Sequence, residues 1–77
     1  MYPNKAQLEV MYAERDAAIN RLAGQSSVDV ADLRSLDRLG RFKVAAELWA
    51  SCTDEARSAL LADEHPHVRS AAQIAQQ

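Results

Sequence analysis

The sequence predicts an all-α fold, a small bundle of about four to five helices in one domain over residues 1–77. Residues that begin or end helices recur at intervals typical of short helices. Nothing is typical of a strand, because the one short alternation, Val28-Asp-Val30, belongs to a helix cap. Much of the 48% apolar content is alanine, which favours helix more than it adds burial energy. We therefore expect short, closely packed helices.

The chain has few means of stabilising itself besides helix packing. A domain of 77 residues has a small core, and its single cysteine, Cys52, cannot form an internal disulfide. The apolar neighbours of Cys52 predict a buried, unreactive thiol. Packing and oligomerisation are left to supply the stability, with Phe42, Leu48, Trp49 and Leu60 expected at the centre of the core.

The net charge of −2 argues against a general binder of nucleic acid or of anionic membranes. No apolar run approaches the roughly 20 residues that span a bilayer. The first residues do not have the pattern of a signal peptide. We expect a cytoplasmic protein with no membrane partner.

A capping box at Asn4-Lys-Ala-Gln7 predicts that the first helix begins near Lys5. The helix should run to about Ala23 and stop at Gly24 in a left-handed conformation. Helical spacing puts several large apolar residues on one face: Leu8, Met11, Tyr12, Ile19 and Leu22.

Arg15 lies in the middle of this apolar face, and two interpretations are open. Its alkyl stem can follow the seam while its head pairs with an acid, or it can be an interfacial arginine that binds a partner. The opposite face carries Val10, Ala13 and Ala17, whose small size would let another helix approach, within the chain or across a dimer.

Ser27 or Asp29 can begin a second helix that reaches about Leu39. A helix continuing through Gly40 would be apolar all round, which so small a chain can hardly bury. We therefore predict a bend or a helix end at Gly40 and a third helix from Arg41 to about Ser51.

Thr53 is the expected cap of a fourth helix that runs to about Ala62. A fifth helix should span Pro66 to Ala75, because proline suits the first turn of a helix. The acids Asp63 and Glu64 precede it, where a helix N-terminus favours negative charge.

The segments 41–48 and 67–74 can be aligned as an internal repeat: apolar, basic, any residue, Ala-Ala, polar, apolar. Residues 41–77 resemble the HEAT-like and leucine-rich-repeat-variant families of α-solenoids, which carry an acidic-proline corner followed by Val-Arg and small residues. The matching residues are Asp63, Pro66, Val68, Arg69, Ala71 and Ala72. The resemblance implies that Asp63 and Arg69 support packing. Solenoids need about three repeats, so the open end of this shorter unit should be covered by the first helix or by a second copy.

No residue pattern indicates catalysis, a cofactor or a metal. His65 and His67 flank a proline and point in different directions, without a third ligand, so we interpret them as surface residues. The acidic pairs are adjacent in sequence and suit helix starts rather than opposed catalytic carboxylates. We predict that the chain is not an enzyme.

The basic segment 34–43 is the best functional signal. Arg34, Arg38 and Arg41 would share one face if the helix continued, and with Lys43 they could contact phosphates. The interleaved Asp32 and Asp37 favour local ion pairs instead. Five candidate partner-binding residues follow: Arg15, Arg34, Arg38, Arg41 and Lys43.

The sequence favours a non-enzymatic helical protein–protein interaction or regulatory module that forms a homodimer and binds another protein. Accessory proteins of bacteria, phages and plasmids are often of this kind. The alternative is a small DNA-binding transcriptional regulator that uses the segment 34–43. A third hypothesis is a subunit that completes a site in a larger enzyme.

Overall fold

The computed structural model describes residues 4–77 and confirms the all-α fold, with 74% of these residues in helices. Strands are absent from the described residues, apart from one isolated bridge pair. A 3₁₀ turn at Trp49–Ser51 follows the third helix. The α-helices are α1 (Lys5–Ala23), α2 (Val30–Arg34), α3 (Arg38–Glu47), α4 (Asp54–Leu61) and α5 (Pro66–Ala75).

The helices with strong local signals begin and end close to where the sequence predicts. Asn4 and Gln7 form the capping box of α1, each side chain accepting from the other residue's backbone N–H at 2.9 Å. The Thr53 hydroxyl accepts from the Ala56 N–H at the start of α4, and Pro66 is the first residue of α5. Gly24 departs from its prediction, because its φ of −83° is right-handed.

The prediction for the region around Gly40 is wrong. α2 ends at Arg34, and Gly40 lies inside α3 rather than at a bend. Asp37 begins α3 by accepting a hydrogen bond from the Gly40 N–H at 2.8 Å. A Cβ on Gly40 would lie 3.0 Å from the Leu36 Cβ, which is tighter than nine in ten real Cβ contacts. Glycine is present because the chain entering α3 folds tightly against it.

The core lies mainly between α3, α4 and α5, and one end of α1, the α1–α2 loop, Leu33 of α2 and Leu36 complete it. Leu22 and Ile19 anchor the C-terminal half of α1. The residues with no exposed surface are Val28, Val44, Ala45, Ala56, Leu60, Val68 and Ala72.

Of the four residues predicted at the centre of the core, only Leu60 is fully buried. Leu48 and Trp49 are half-buried, and Phe42 is 40% exposed, so that prediction is wrong for Phe42. The Arg57 guanidinium lies 5.6 Å from the centroid of the Trp49 ring and donates to the Trp49 carbonyl. Cys52 is buried as predicted, and its burial raises the pKa of the thiol.

A short backbone contact joins two loops that the sequence does not link. The Val28 N–H donates to the Ser51 carbonyl at 2.8 Å, and the Thr53 N–H donates to the Val28 carbonyl at 2.9 Å. This bridge pairs Val28 with Cys52 and buries both. It attaches the α1–α2 loop to the start of α4.

Candidate protein-binding site

Arg15 is already paired within the chain. Its Nη2 donates to the Asp37 Oδ2 at 2.7 Å and its Nε to the Oδ1 at 3.2 Å, and its guanidinium carbon lies 5.5 Å from the centroid of the Tyr12 ring. The side chain is 10% exposed. The hydrogen bonds that Arg15 donates lower the pKa of Asp37, and the hydrogen bond from the Gly40 N–H lowers it to a smaller extent. Together they outweigh partial burial, which raises this pKa. This ion pair ties α1 to the start of α3.

Arg41 is the central residue of a second network of hydrogen bonds and ion pairs within the chain. Its Nε donates to the Asp63 Oδ2 at 2.7 Å and its Nη1 to the Leu36 carbonyl at 3.0 Å. Burial opposes ionisation of Asp63, but hydrogen bonds from Arg41 and from the His65 N–H outweigh it and lower the pKa of the carboxyl. Arg41 therefore connects α3 to the α4–α5 corner.

The basic segment 34–43 does not form one continuous face. Arg34 ends α2 and Arg38 begins α3, with a break between them, so the condition for a shared arginine face fails. The Lys43 Nζ lies 3.1 Å from the Asp16 Oδ1 on α1. Arg34 and Arg38 are exposed and make no ion pair among residues 4–77.

The expected local pairing of Asp32 and Asp37 with the basic segment is also wrong. The Asp32 side chain is part of the capping box of α2 and accepts a hydrogen bond from the Gln25 side-chain amide. Hydrogen bonds, first from the backbone of Asp29, lower its pKa. Asp37 pairs with Arg15 across 22 residues.

The acidic-proline corner is held together by its own residues. The Arg69 Nη1 donates to the Asp63 carbonyl at 2.6 Å, and the Asp63 side chain is 8% exposed. The His65 Nε2 lies 3.7 Å from the Glu64 Oε1, and His67 is exposed. Within the described part of the chain no three metal-ligating side chains cluster.

An uncovered apolar groove lies between α3 and α5 and is hereafter called the α3–α5 groove. It has two adjoining parts, an open cavity of about 320 Å³ and one of about 390 Å³ at the start of both helices. No acidic side chain lines either part. The lining residues are Arg38, Leu39, Phe42, Ala46, His67, Ser70, Ala71, Ile74 and Ala75.

Ile74 makes the groove an unusual surface for a small protein. It is 71% exposed, and Phe42, which lines the same part of the groove, is exposed as well; Leu39 is exposed in the adjoining part. Contiguous exposed apolar side chains of this kind mark interaction sites more often than scattered ones do. The sequence predicts Phe42 in the core, matches Ile74 with Leu48 as the last apolar position of the internal repeat, and counts Leu39 among the apolar residues around a helix continuing through Gly40. None of these patterns predicts that the three side chains stay exposed.

A second uncovered surface is the N-terminal half of α1, residues 5–14, hereafter the free half of α1. Val10, Met11 and Tyr12 are each about half exposed, and Leu8 is only partly buried. Of the apolar face that the sequence places on α1, only Ile19 and Leu22 are buried. Successive residues lie about 100° apart around a helix, so this half is uncovered on more than one side.

The aligned segments 41–48 and 67–74 do not share environments. Phe42 is exposed whereas its match Val68 is buried, and Ala46 is exposed whereas its match Ala72 is buried. None of the described helices is long and apolar enough to cross a membrane.

Comparisons of the chain with protein-family models, with curated proteins and with solved structures find no match. The resemblance to HEAT-like repeats therefore stays a prediction.

Proposed function

We propose that this protein is a non-enzymatic helical interaction module of the cytoplasm, which works by binding protein through the α3–α5 groove. The observation that carries the proposal is the exposure of Leu39, Phe42 and Ile74 along one groove. Burying apolar surface stabilises a protein by roughly 25 cal/mol for each Å². Side chains that stay in water do not contribute this free energy. A partner that covers them recovers this free energy on binding.

The shape of the groove favours a helical partner. α3 and α5 have ten residues each, and the groove between them is open along its length. Grooves between two helices commonly accept the apolar face of a third, with anchors at positions i, i+3, i+4 and i+7. The alanines Ala46, Ala71 and Ala75 leave room for the larger side chains of such a partner.

The five candidate residues contribute unequally to this proposal. Arg38 lies on the edge of the groove and is unpaired among the described residues, so it suits a contact with a partner acid. Arg15, Arg41 and Lys43 are engaged in ion pairs with Asp37, Asp63 and Asp16. We propose that these three act on binding through the position of their helices.

The exposed Arg34 and Arg38 are the residues that favour the DNA-binding alternative. Two arginines on separate short helices make few phosphate contacts, and each contact contributes to affinity. The net charge of −2 opposes association with a polyanion. Protein binding is therefore the better supported function.

Site-specific photocrosslinking tests the proposed function. A photoreactive amino acid placed at Ile74 should crosslink to protein in the native host, because this side chain lies in the groove. The same group at the adjacent Gln73, which is exposed outside the groove, is the matched control. The expected result is a crosslink from position 74 and none from position 73. In a separate pull-down, the captured protein should be lost with Ile74→Glu and retained with Gln73→Glu. Equal crosslinking at both positions, or none at either, would contradict the proposal.

A further inference from the structure

We infer that the occupant of the α3–α5 groove is the free half of α1 from a second copy of this chain. The inference rests on the proposed function and names its partner. Two uncovered apolar surfaces occur on one small chain, and neither covers the other, since no residue of α1 lines the groove.

The chain cannot satisfy both surfaces by itself. α1 is one uninterrupted helix whose C-terminal half is held in the core by Ile19 and Leu22. The ion pairs of Arg15 with Asp37 and of Asp16 with Lys43 hold its middle against α3. The free half continues in the direction that these contacts set, so only another molecule can present this segment to the groove.

The two surfaces match in length. The free half of α1 has ten residues, which corresponds to about 15 Å of helix. α3 and α5 also have ten residues each, so the groove between them offers about the same length. Leu8, Met11 and Tyr12 stand at positions i, i+3 and i+4 of α1, the spacing with which a helix places anchors in a groove.

The two surfaces are also complementary in charge. Glu9 and Glu14 lie at the two edges of the Leu8–Met11–Tyr12 face, and both are exposed without an ion pair among the described residues. The groove has Arg38 on its edge and no acid in its lining. A glutamate therefore flanks the apolar face of the free half on each side, opposite in charge to the arginine of the groove.

A reciprocal exchange closes the assembly. Each copy donates its free half to the other copy's groove, so a dimer with two-fold symmetry contains two identical contacts and leaves neither surface open. Pairing of α1 with α1, or of groove with groove, would leave one of the two surfaces uncovered.

Complementation between two variants tests this arrangement. The wild type should have a mass by light scattering near twice the chain mass of 8.5 kDa at micromolar concentration. Tyr12→Glu in the free half and Ile74→Glu in the groove should each weaken dimerisation by at least about tenfold, since each puts a charge into an apolar contact. The matched controls are Ala13→Glu, on the far side of α1, and Gln73→Glu, outside the groove; both should dimerise like the wild type.

Mixing the two weakened variants is the decisive step. A mixture of Tyr12→Glu and Ile74→Glu contains one intact helix and one intact groove, so it should form heterodimers more tightly than either variant self-associates. If α1 paired with α1, Ile74→Glu would have no effect; if groove paired with groove, Tyr12→Glu would have none. Either result, or a mixture that does not associate, overturns the inference.

The outcomes separate this inference from the proposed function. A wild type that stays monomeric but still crosslinks a foreign protein through Ile74 overturns the second copy as occupant and leaves the proposed function standing. In the other case, the mixing experiment gives a dimer while Ile74 captures no foreign protein. That result supports the inference and means that the protein bound by the groove is a second copy of this chain. Circular dichroism of each variant checks that the helices are retained.

Discussion

The free half of α1 and the segment from α3 through α5 (residues 38–75, hereafter the α3–α5 region) use helices in opposite ways. α1 is the longest helix among the described residues, with 19 residues, yet its first ten bury no side chain completely. α4 has only eight residues and buries Ala56 and Leu60 completely. A good cap and a long helical stretch therefore say where a helix forms, whereas its stability depends on the face that it buries.

The same contrast separates the two long-range ion pairs. The carboxylate of Asp37, which receives Arg15 from α1, is 55% exposed. The carboxylate of Asp63, which receives Arg41 in the α3–α5 region, is 8% exposed and also accepts the His65 N–H. An ion pair in contact with water is screened and contributes little, so α1 is held less firmly than the corner is.

The largest difference between the two regions should appear on truncation of apolar side chains. Leu60→Ala removes a fully buried side chain and should cost about 2–5 kcal/mol of unfolding free energy. Val10→Ala in the free half of α1 should change it by less than about 0.5 kcal/mol. Urea denaturation followed by circular dichroism measures both. Equal costs would show that α1 is packed as tightly as the α3–α5 region.

A smaller difference should appear in the dependence of stability on pH. The pKa of Asp63 is lowered in the folded chain, so its contribution is present above the ordinary carboxyl pKa of 3.8 and is lost as the pH falls through the folded pKa. Asp63→Asn should cost about 1–3 kcal/mol at neutral pH and flatten the acid limb of the stability curve. The measurement is denaturant unfolding between neutral pH and the acid range.

Asp37→Asn is the matched comparison in the α1 contact. The pKa of Asp37 is also lowered, so the sign of the pH dependence is the same. Because the carboxylate is more exposed, we expect a cost of only about 0.2–1 kcal/mol. A larger loss for Asp37→Asn than for Asp63→Asn would reverse our ranking of the two contacts.

The smallest expected effect concerns DNA. Arg34, Arg38 and Arg41 are the arginines of the basic segment 34–43, and a triple change to alanine would test a phosphate contact. We expect the wild type to bind duplex DNA no more tightly than about 10⁻⁵ M at physiological salt, within the non-specific range. Fluorescence anisotropy across a salt series measures this.

A sub-micromolar complex with a salt slope of about −0.9 per phosphate contact would favour the DNA-binding alternative. Arg34→Ala with Arg38→Ala is the cleaner variant, since Arg41→Ala also breaks the contact with Asp63. Loss of that complex in the double variant, with the helices intact, would locate the phosphate contacts at these two arginines.

The predictions that were confirmed depend on neighbours in sequence. The capping box of α1, the Thr53 cap of α4 and the proline at the start of α5 act over three or four residues, so their outcome is visible in the sequence. The predictions that failed depend on distant residues. Phe42 was assigned to the core because it is large and apolar, but which face of α3 meets α4 and α5 is decided by packing.

Gly40 shows why the helix boundaries in the middle of the chain could not be predicted. Glycine commonly ends a helix, and the sequence offered no sign that Leu36 folds back onto it. The role of Asp37 was hidden in the same way: its partner Arg15 is 22 residues away, whereas helical spacing suggested nearby arginines.

The sequence by itself determined the helical class, the caps of α1, α4 and α5, and the buried state of Cys52, because these follow from local conformational preference and composition. Only the tertiary structure decided that α3 continues through Gly40, that Arg15 and Arg41 bind Asp37 and Asp63, and that a groove stays open beside Ile74. These features arise from contacts between segments far apart in the chain. Their free energy depends on how whole helix faces fit together, which no short stretch of sequence contains.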